Sequence, residues 1–238
     1  MPDATRSSWN LQRTLWPALV ALAGVILLFE FTNLDLWVQD HFFDFATGQW
    51  WVDRRAPLPR AFFYNGPKYV IILLAVTLLT LLVGPARWRA RWGLERKRIG
   101  AVLLTLALVP ILIGQLKAHT NVFCPYEITR YGGDVAYVKA WAPHPPELQP
   151  ERCGRCYPAG HASGGFALFA LAGLGATAGW RRWGIGLGLG LGWMMGGYQM
   201  LKGAHYLSHT LVTMLVAWVM FLLIQRAFRL APANGENE

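Results

Sequence analysis

The 238-residue chain is 54% hydrophobic, only 15% of its residues are charged, and its formal net charge is +9. Its apolar residues form long unbroken runs rather than the periodic stripes of a water-soluble domain, which indicates a membrane protein. Because the basic residues lie between these runs, we interpret the positive charge as a topological signal and expect no nucleic-acid partner.

Six apolar segments are predicted to cross the membrane, which takes roughly 20 residues per helix. The predicted spans are Leu15–Phe31, Tyr69–Val83, Ile99–Leu116, Ala162–Trp180, Trp183–Leu201 and Tyr206–Phe228. The sequence therefore predicts an all-α polytopic helix bundle over residues 15–230, with polar tails at 1–14 and 231–238. The first run lacks a clear small-residue cleavage site, so we expect it to be a retained span rather than a signal peptide.

The basic residues predict the orientation of this bundle. They cluster between spans two and three, between spans four and five, and beyond both terminal spans. The residues concerned are Arg6, Arg13, Arg87, Arg89, Arg91, Arg96, Lys97, Arg98, Arg181, Arg182, Arg226 and Arg229. Because Lys and Arg are retained on the cytoplasmic side, both termini are predicted to be cytoplasmic. Segments 32–68, 117–161 and 202–205 then face the periplasm or the cell exterior, and we expect the bacterial inner membrane.

Two of these regions have a predicted structural role. Segment 32–68 mixes aspartates with many aromatic residues, which is typical of an amphipathic piece at the membrane interface. Span five carries Gly184, Gly188, Gly192 and Gly196 at four-residue intervals, so they share one helix face that a neighbouring helix can approach closely. This glycine run is not a dinucleotide fingerprint, because no strand precedes it and no acidic residue is suitably placed after it.

Polar groups collect at the outward ends of three different spans. They are Lys117 at the end of span three, His161 at the start of span four, and Gln199, Lys202, His205 and His209 around the junction of spans five and six. Ionisable groups at membrane depth are costly, so a convergent set of them predicts a functional site. A helix N-terminus such as the one at His161 presents free N–H groups that suit an anion, and histidine transfers protons near neutral pH.

The spacing of these residues resembles the type-2 phosphatidic acid phosphatase family, membrane-bound relatives of bacterial acid phosphatases and vanadium haloperoxidases. That family carries the patterns Lys-x6-Arg-Pro, Pro-Ser-Gly-His and Ser-Arg-x5-His-x3-Asp. The corresponding residues here are Lys117 with Cys124-Pro125, then Pro158-Ala159-Gly160-His161, then Gln199 with His205 and His209. The resemblance covers about residues 15–228, and the middle pattern matches best.

The resemblance implies a role for each residue. His205 would attack phosphorus and form a phosphohistidine, while His161 would protonate the leaving oxygen and then activate water. Lys117 would bind the phosphate oxygens, together with the backbone N–H groups that follow Gly160. Such chemistry needs no metal or cofactor. The implied activity is a phosphatase or phosphotransferase acting on a lipid-linked phosphate or diphosphate, such as undecaprenyl diphosphate, lipid A or a phosphatidyl phosphate.

The chain departs from the family pattern at four positions. Cys124 and Gln199 replace the two arginines, His209 replaces the aspartate that orients the nucleophile, and Ala159 replaces the serine. Neither Cys nor Gln reproduces the charged, bidentate fork of arginine. Lys202 is expected to restore one positive charge next to Gln199. Three arginines of the outward loop are further candidates, namely Arg130, Arg152 and Arg155.

These departures leave three alternatives open. One is a catalytically degenerate relative that binds phospholipid head groups as an accessory protein. Another is a metal-dependent enzyme whose ligands are His119, His161, His205 and His209. In the third, His209 is the nucleophile. Lys202 would then lie seven residues before it and Thr213 would occupy the aspartate position, which fits the family spacing less well than His205 does.

All three cysteines lie in the predicted outward loop. The spacing Cys153-Gly-Arg-Cys156 is compatible with zinc, with His119, His144 or His161 as further ligands, but an oxidising compartment favours a disulfide. A Cys124–Cys156 bridge would join the first pattern to the second and would leave Cys153 free. The rival pairing is Cys153–Cys156. We expect the first of the two.

Overall fold

The computed structural model describes residues 11–230, and nearly all of its regular structure is helical. The helices are α1 Leu11–Phe31, α2 Leu34–Asp40, α3 Pro57–Arg60, α4 Gly66–Val83, α5 Ala86–Ala90, α6 Arg96–Ala118, α7 Gly160–Ala167, α8 Ala178–Leu201 and α9 Leu207–Ala227. A π turn, Ala61–Asn65, joins α3 to α4. The predicted all-α class is confirmed. The polar tails were predicted at 1–14 and 231–238, but α1 already begins at Leu11, and residues 1–10 and 231–238 lie outside the described part.

Short elements complete the fold. Strands β1 (Phe43–Asp44) and β2 (Gln49–Trp50) form an antiparallel hairpin in which Phe43 pairs with Trp50. The 3-10 turns are Pro125–Glu127, Thr129–Tyr131, Pro146–Leu148 and Leu168–Gly173. We call the end of the bundle where α6 ends and α7 begins the site end.

Four segments are long and apolar enough to cross a membrane, namely Thr14–Phe31, Pro57–Val83, Arg96–Ala118 and Leu207–Ala227. They correspond to predicted spans one, two, three and six. The fifth predicted span lies in α8, where alternating glycines lower the mean hydropathy. The fourth is the 8-residue α7 and the 3-10 turn that continues it to Gly173. The six-span count therefore stays a prediction.

The boundary between the fourth and fifth predicted spans is wrong. We expected a link at Arg181 and Arg182, but these residues lie in the first turn of α8, and the chain turns at 174–177 instead. The Thr177 hydroxyl accepts a hydrogen bond from the Trp180 backbone N–H, 3.3 Å away. A threonine in this position is a favourable helix N-cap, and it starts the helix before the charged pair.

The short helix α7 lies at the centre of the bundle, in contact with α4, α6, α8 and α9. Its Ala162, Phe166 and Ala167 are fully buried in the main hydrophobic core. Small residues let the backbones approach closely: a Cβ added to Gly165 would lie 2.6 Å from the backbone nitrogen of Gly192 in α8. The catalytic candidate His161 thus sits on a helix that its neighbours hold on several sides.

The glycine face of α8 predicted from the sequence is confirmed, and it allows a matched test. We expect Gly184→Ala to destabilise the protein by roughly 1–3 kcal/mol, because the new Cβ would lie 2.0 Å from the backbone nitrogen of Ala172. Gly186→Ala is the control, since nothing lies within 4 Å of its added Cβ and alanine favours a helix. Thermal unfolding in detergent measures both. Equal losses in the two variants would contradict the packing argument.

The aromatic segment 32–68, predicted to lie at the membrane interface, makes extensive contacts with the rest of the protein. Its hairpin packs on the loop after α6, with the rings of Phe43 and Trp50 5.2 and 5.0 Å from the ring of Tyr131. Asp35 also caps α9, accepting hydrogen bonds from the backbone N–H and the hydroxyl of Ser208. Burial raises the pKa of the Asp35 carboxyl to about 6, and the hydrogen bonds from Ser208 act in the opposite direction. The segment thereby anchors the start of the helix that follows His205.

Candidate functional site

Three separate stretches of chain meet at the site end of the bundle. Lys117 projects from the last turn of α6, His161 from the first turn of α7, and Lys202 and His205 from the link between α8 and α9. All four line one cavity of about 770 Å³. This volume lies within the range of small-molecule sites. The structure therefore brings together the residues that the three sequence patterns singled out.

Three histidines form a row beside this cavity. Nδ1 of His161 lies 3.1 Å from Nε2 of His205, and Nδ1 of His205 lies 3.5 Å from Nδ1 of His209. His205 and His209 are buried, with exposures of 1% and 2%. The first contact joins the two nitrogens that would flank a reacting phosphorus, so the rings must separate before a phosphate can enter between them. Catalytic contacts of this kind commonly rearrange when substrate binds.

A disulfide lies on the other side of His205. It joins Cys124 to Cys156 and leaves Cys153 free and exposed. Nδ1 of His205 is 3.4 Å from the sulfur of Cys156. Cys124, at the position of the first family arginine, lines the cavity. This is one of the two pairings considered from the sequence.

Positive charge dominates the cavity. Lys117, Arg155 and Lys202 line it together with Arg54 and Arg55, whereas Asp53 is the one carboxylate in its wall among the described residues. None of these five cations takes part in an ion pair within residues 11–230 as described. The cavity is therefore suited to an anion with more than one negative charge.

Burial and nearby positive charges together lower the pKa of two groups outside the helices. Burial lowers the pKa of Lys202 to about 8, helped by the nearby Arg60 and Arg54. Burial also holds the pKa of His205 well below its usual range, and the charges of His161, His209 and Lys117 act in the same direction. His205 is thus neutral near pH 7, as a nitrogen nucleophile must be.

Arg54 and Arg55 were not predicted from the sequence. A signal was present, because two adjacent arginines on the predicted outward side break the positive-inside pattern. Their loop is held against the α8–α9 link: the backbone N–H of Val52 donates to the carbonyl of Leu201 at 3.2 Å. The guanidinium of Arg54 lies 3.3 Å from the ring centroid of Tyr126.

Gly203 lies where this loop packs against the α8–α9 link. It has a φ of +71°, and an added Cβ would lie 2.4 Å from the indole of Trp50. Its carbonyl accepts a hydrogen bond from the Tyr126 backbone N–H at 2.9 Å. Only glycine meets both demands without strain, so the wall that carries Arg54 is packed directly on the link that carries His205.

The remaining predicted residues are placed as follows. Gln199 lines the cavity and is buried, and neither polar atom of its amide has a hydrogen-bond partner among the described residues. Of the three loop arginines, Arg155 lines the cavity, but Arg130 pairs with Asp40 and Arg152 pairs with Glu127 and Asp134. The expectation that Arg130 and Arg152 reach the site is therefore wrong, because nearby carboxylates hold them outside it.

An apolar groove of about 480 Å³ opens beside the cationic cavity. Its walls come mainly from α4, α6 and α7 and include Ile71, Ile72, Ala75, Leu106 and Pro110. Gly160 also lines the groove, which shares Lys117 and His161 with the cavity. An apolar chain in this groove would therefore pass next to His161 and the cationic cavity.

The residues suggested as metal ligands do not form one cluster. In the described part of the chain, one group of three ligand atoms lies within 4.8 Å of one another, formed by Cys124, Cys156 and His205. Both sulfurs of this group are joined in the disulfide, so they are not the thiolates that zinc binds. His119 lies at the end of α6, is exposed and does not line the cavity.

Comparison with known proteins identifies a family. A family model described as the PAP2 superfamily matches residues 98–231, which include most of α6, all of α7, α8 and α9, and all three sequence patterns. No curated protein matches the chain, and no solved structure matches it. Arg54 and Arg55 lie outside the matched region.

Proposed function

Because the chain belongs to the PAP2 superfamily, whose members generally hydrolyse phosphate esters, we propose that it is a membrane phosphatase or phosphotransferase for a lipid-linked phosphate or diphosphate. Undecaprenyl diphosphate, lipid A and phosphatidyl phosphates are the candidate substrates. The observation that carries this proposal is the meeting of a cationic cavity and an apolar groove at Lys117 and His161. A lipid phosphate has an anionic group that the cavity would bind and an apolar chain that the groove would bind.

The proposed reaction has two steps. The terminal phosphate binds among Lys117, Lys202 and Arg155, and Nε2 of His205 attacks phosphorus. The bond from phosphorus to the lipid oxygen breaks, and that oxygen takes a proton from His161, so the lipid product leaves with its chain in the groove. His161 then takes a proton from water, the water oxygen attacks phosphorus, and the bond to His205 breaks to release phosphate. In a phosphotransferase, an acceptor hydroxyl or phosphate replaces water.

The other site residues support these steps. Lys117, Lys202 and Arg155 supply the charge that the two absent arginines provide in the family pattern. Gln199 offers a buried amide with free hydrogen-bonding capacity at the wall of the cavity. Gly160 lines the groove at the start of α7, and the free backbone N–H groups of this helix N-terminus would suit the bridging oxygen. His209 supports the ring of His205 from the first turn of α9.

The proposal includes an orientation. Six spans with both termini in the cytoplasm would place the cavity at the outer face of a bacterial inner membrane. The excess of basic residues at the opposite end of the bundle supports this orientation. Substrate would then reach the groove from the membrane, while water reaches the cavity from outside.

A panel of lipid phosphates, with free phosphate as the readout and no added metal, tests the function. We expect phosphate to be released from at least one of these lipid phosphates when the protein is assayed in detergent. Binding of these lipids without release from any of them would instead select the degenerate, head-group-binding alternative, which the missing arginines and aspartate favour.

The groove can be tested with one substitution and a neighbouring control. Ala75→Trp should fill the groove and raise the KM for a lipid phosphate by about tenfold or more, while a soluble aryl phosphate is hydrolysed as before. Val76→Trp is the control, because Val76 is 54% exposed and does not line the groove. Steady-state kinetics on both substrates measure the effect. Equal effects of the two tryptophans would contradict lipid binding in the groove.

The lowered pKa of Lys202 predicts a basic limb in the pH profile. Lys202 is charged below its pKa of about 8 and loses that charge as the pH rises through it, so phosphate binding should weaken above pH 8. We expect kcat/KM to fall about tenfold per pH unit there, since one essential proton is lost. Lys202→Arg stays charged and should shift this limb upward. If the basic limb of the Lys202→Arg variant were unchanged, the fall in kcat/KM would have to be assigned to another group.

A further inference from the structure

We propose that the Cys124–Cys156 disulfide positions His205 for attack, through the contact of the Cys156 sulfur with Nδ1 of the ring. This inference rests on the proposed function, because it concerns how the nucleophile of that reaction is held. Cys156 is here a positioning residue and does not contact the reacting atoms.

The first observation is the surroundings of the His205 ring. Nε2 faces His161 and the cavity, so attack through Nε2 requires the ring proton to lie on Nδ1. The hydrogen-bonding contacts of Nδ1 in the described chain are the Cys156 sulfur at 3.4 Å and Nδ1 of His209 at 3.5 Å. The backbone carbonyl of Cys156 also acts on His205 and favours its protonated form. Cys156 thus contacts Nδ1 through its sulfur and also interacts with the His205 ring through its backbone.

The oxidation state of Cys156 then determines what its sulfur can do. A disulfide sulfur has no hydrogen and can only accept, whereas a thiol is also a donor. Next to a disulfide, the proton of neutral His205 is favoured on Nδ1, which leaves the lone pair of Nε2 free for attack. A Cys156 thiol that donates to Nδ1 would move the ring proton to Nε2 and block the nucleophile.

The disulfide also fixes the relative positions of two site segments. Segment 121–124, which follows Lys117, runs beside segment 154–156, which precedes His161. The backbone N–H of Cys156 donates to the carbonyl of Val122 at 2.9 Å, and the N–H of Gly154 donates to the side-chain oxygen of Asn121 at 2.8 Å. The disulfide adds a covalent link to these two bonds, at a residue that is fully buried against His205.

The test compares the two oxidation states of one folded protein. A Cys153→Ser background removes the exposed thiol, which does not line the cavity, and so prevents exchange with the disulfide. A water-soluble phosphine reduces the bond: the S–S bond breaks, each sulfur gains a proton, and the phosphine becomes a phosphine oxide with oxygen from water. Alkylation and mass spectrometry then verify that Cys124 and Cys156 are free thiols.

We expect reduction to lower kcat by about tenfold or more, since small displacements of a reacting group are costly, while KM stays within about twofold. Rapid quenching should show that phosphohistidine forms more slowly by the same factor, and reoxidation should restore kcat. A Cys124→Ala, Cys156→Ala double variant should behave like the reduced protein if it folds, and the reduced protein carries the test if it does not.

Three outcomes would overturn the inference. One is a reduced, verified protein whose kcat is unchanged. Another is a loss confined to KM. The third is a loss that merely follows the fraction of unfolded protein, measured by circular dichroism. Failure of the function itself is distinguishable, because the oxidised protein would then release no phosphate from any lipid, whereas equal release in both states counts only against the role of the disulfide.

Discussion

Replacement of His205 by alanine is expected to abolish phosphate release, with a fall in kcat of about four orders of magnitude or more. The imidazole forms the covalent bond to phosphorus, and no other described side chain occupies its place between His161 and the disulfide. Acid quenching of the wild-type protein during turnover should trap a phosphohistidine, and the variant should yield none. Phosphate release and labelling with radioactive substrate measure the two effects.

Two further variants make this result specific. His119→Ala should retain activity, because His119 is exposed and lies outside the cavity. His209→Ala tests the alternative register. If His209 were the nucleophile, its alanine variant would lose the phosphoenzyme while His205→Ala kept it, and the proposed roles of the two residues would be reversed.

For His161→Ala we expect a loss that depends on the leaving group. An alkoxide leaves poorly unless it is protonated, so kcat on a lipid monophosphate should fall by about 10²–10⁴. An aryl phosphate has a much better leaving group and should lose far less in the first step. Its phosphoenzyme should then accumulate, because the second step lacks the base that activates water. The measurements are kcat for a series of leaving groups and a rapid-quench burst.

This pattern separates an acid from a residue that only holds the site together. If His161 were structural, its removal would lower the rate equally for all leaving groups. Uniform losses across the series would therefore contradict the general-acid role. Unchanged activity of both His161→Ala and His205→Ala would contradict the whole assignment.

The general character of the protein was predictable because it depends on local patterns. Long apolar runs predict membrane helices from their length and hydropathy alone. The three sequence patterns predicted both the family and the residues that meet at one end of the bundle, since helix ends on one side of a membrane are necessarily brought to one surface. The glycines of α8, spaced at four residues, predicted a closely packed helix face for the same local reason.

Hydropathy alone misplaced the boundary between the fourth and fifth predicted spans. The fourth apolar run was predicted to extend to Trp180, yet α7 ends at Ala167, a 3-10 turn continues it to Gly173, and the chain turns at 174–177. Its residues are buried by α6, α8 and α9, so their apolar character reflects protein packing as much as lipid. The start of α8 was marked by a capping threonine, Thr177, and not by the arginines that follow it.

By itself, the sequence determined that the chain is a helical membrane protein of this family and that Lys117, His161 and His205 are its site candidates. Only the tertiary structure decided which groups surround them. It placed the Cys156 sulfur against His205, added Arg54 and Arg55 to the cavity wall, and excluded Arg130 through its pairing with Asp40. These contacts join residues far apart in the chain, and no local pattern encodes the distance between two such side chains.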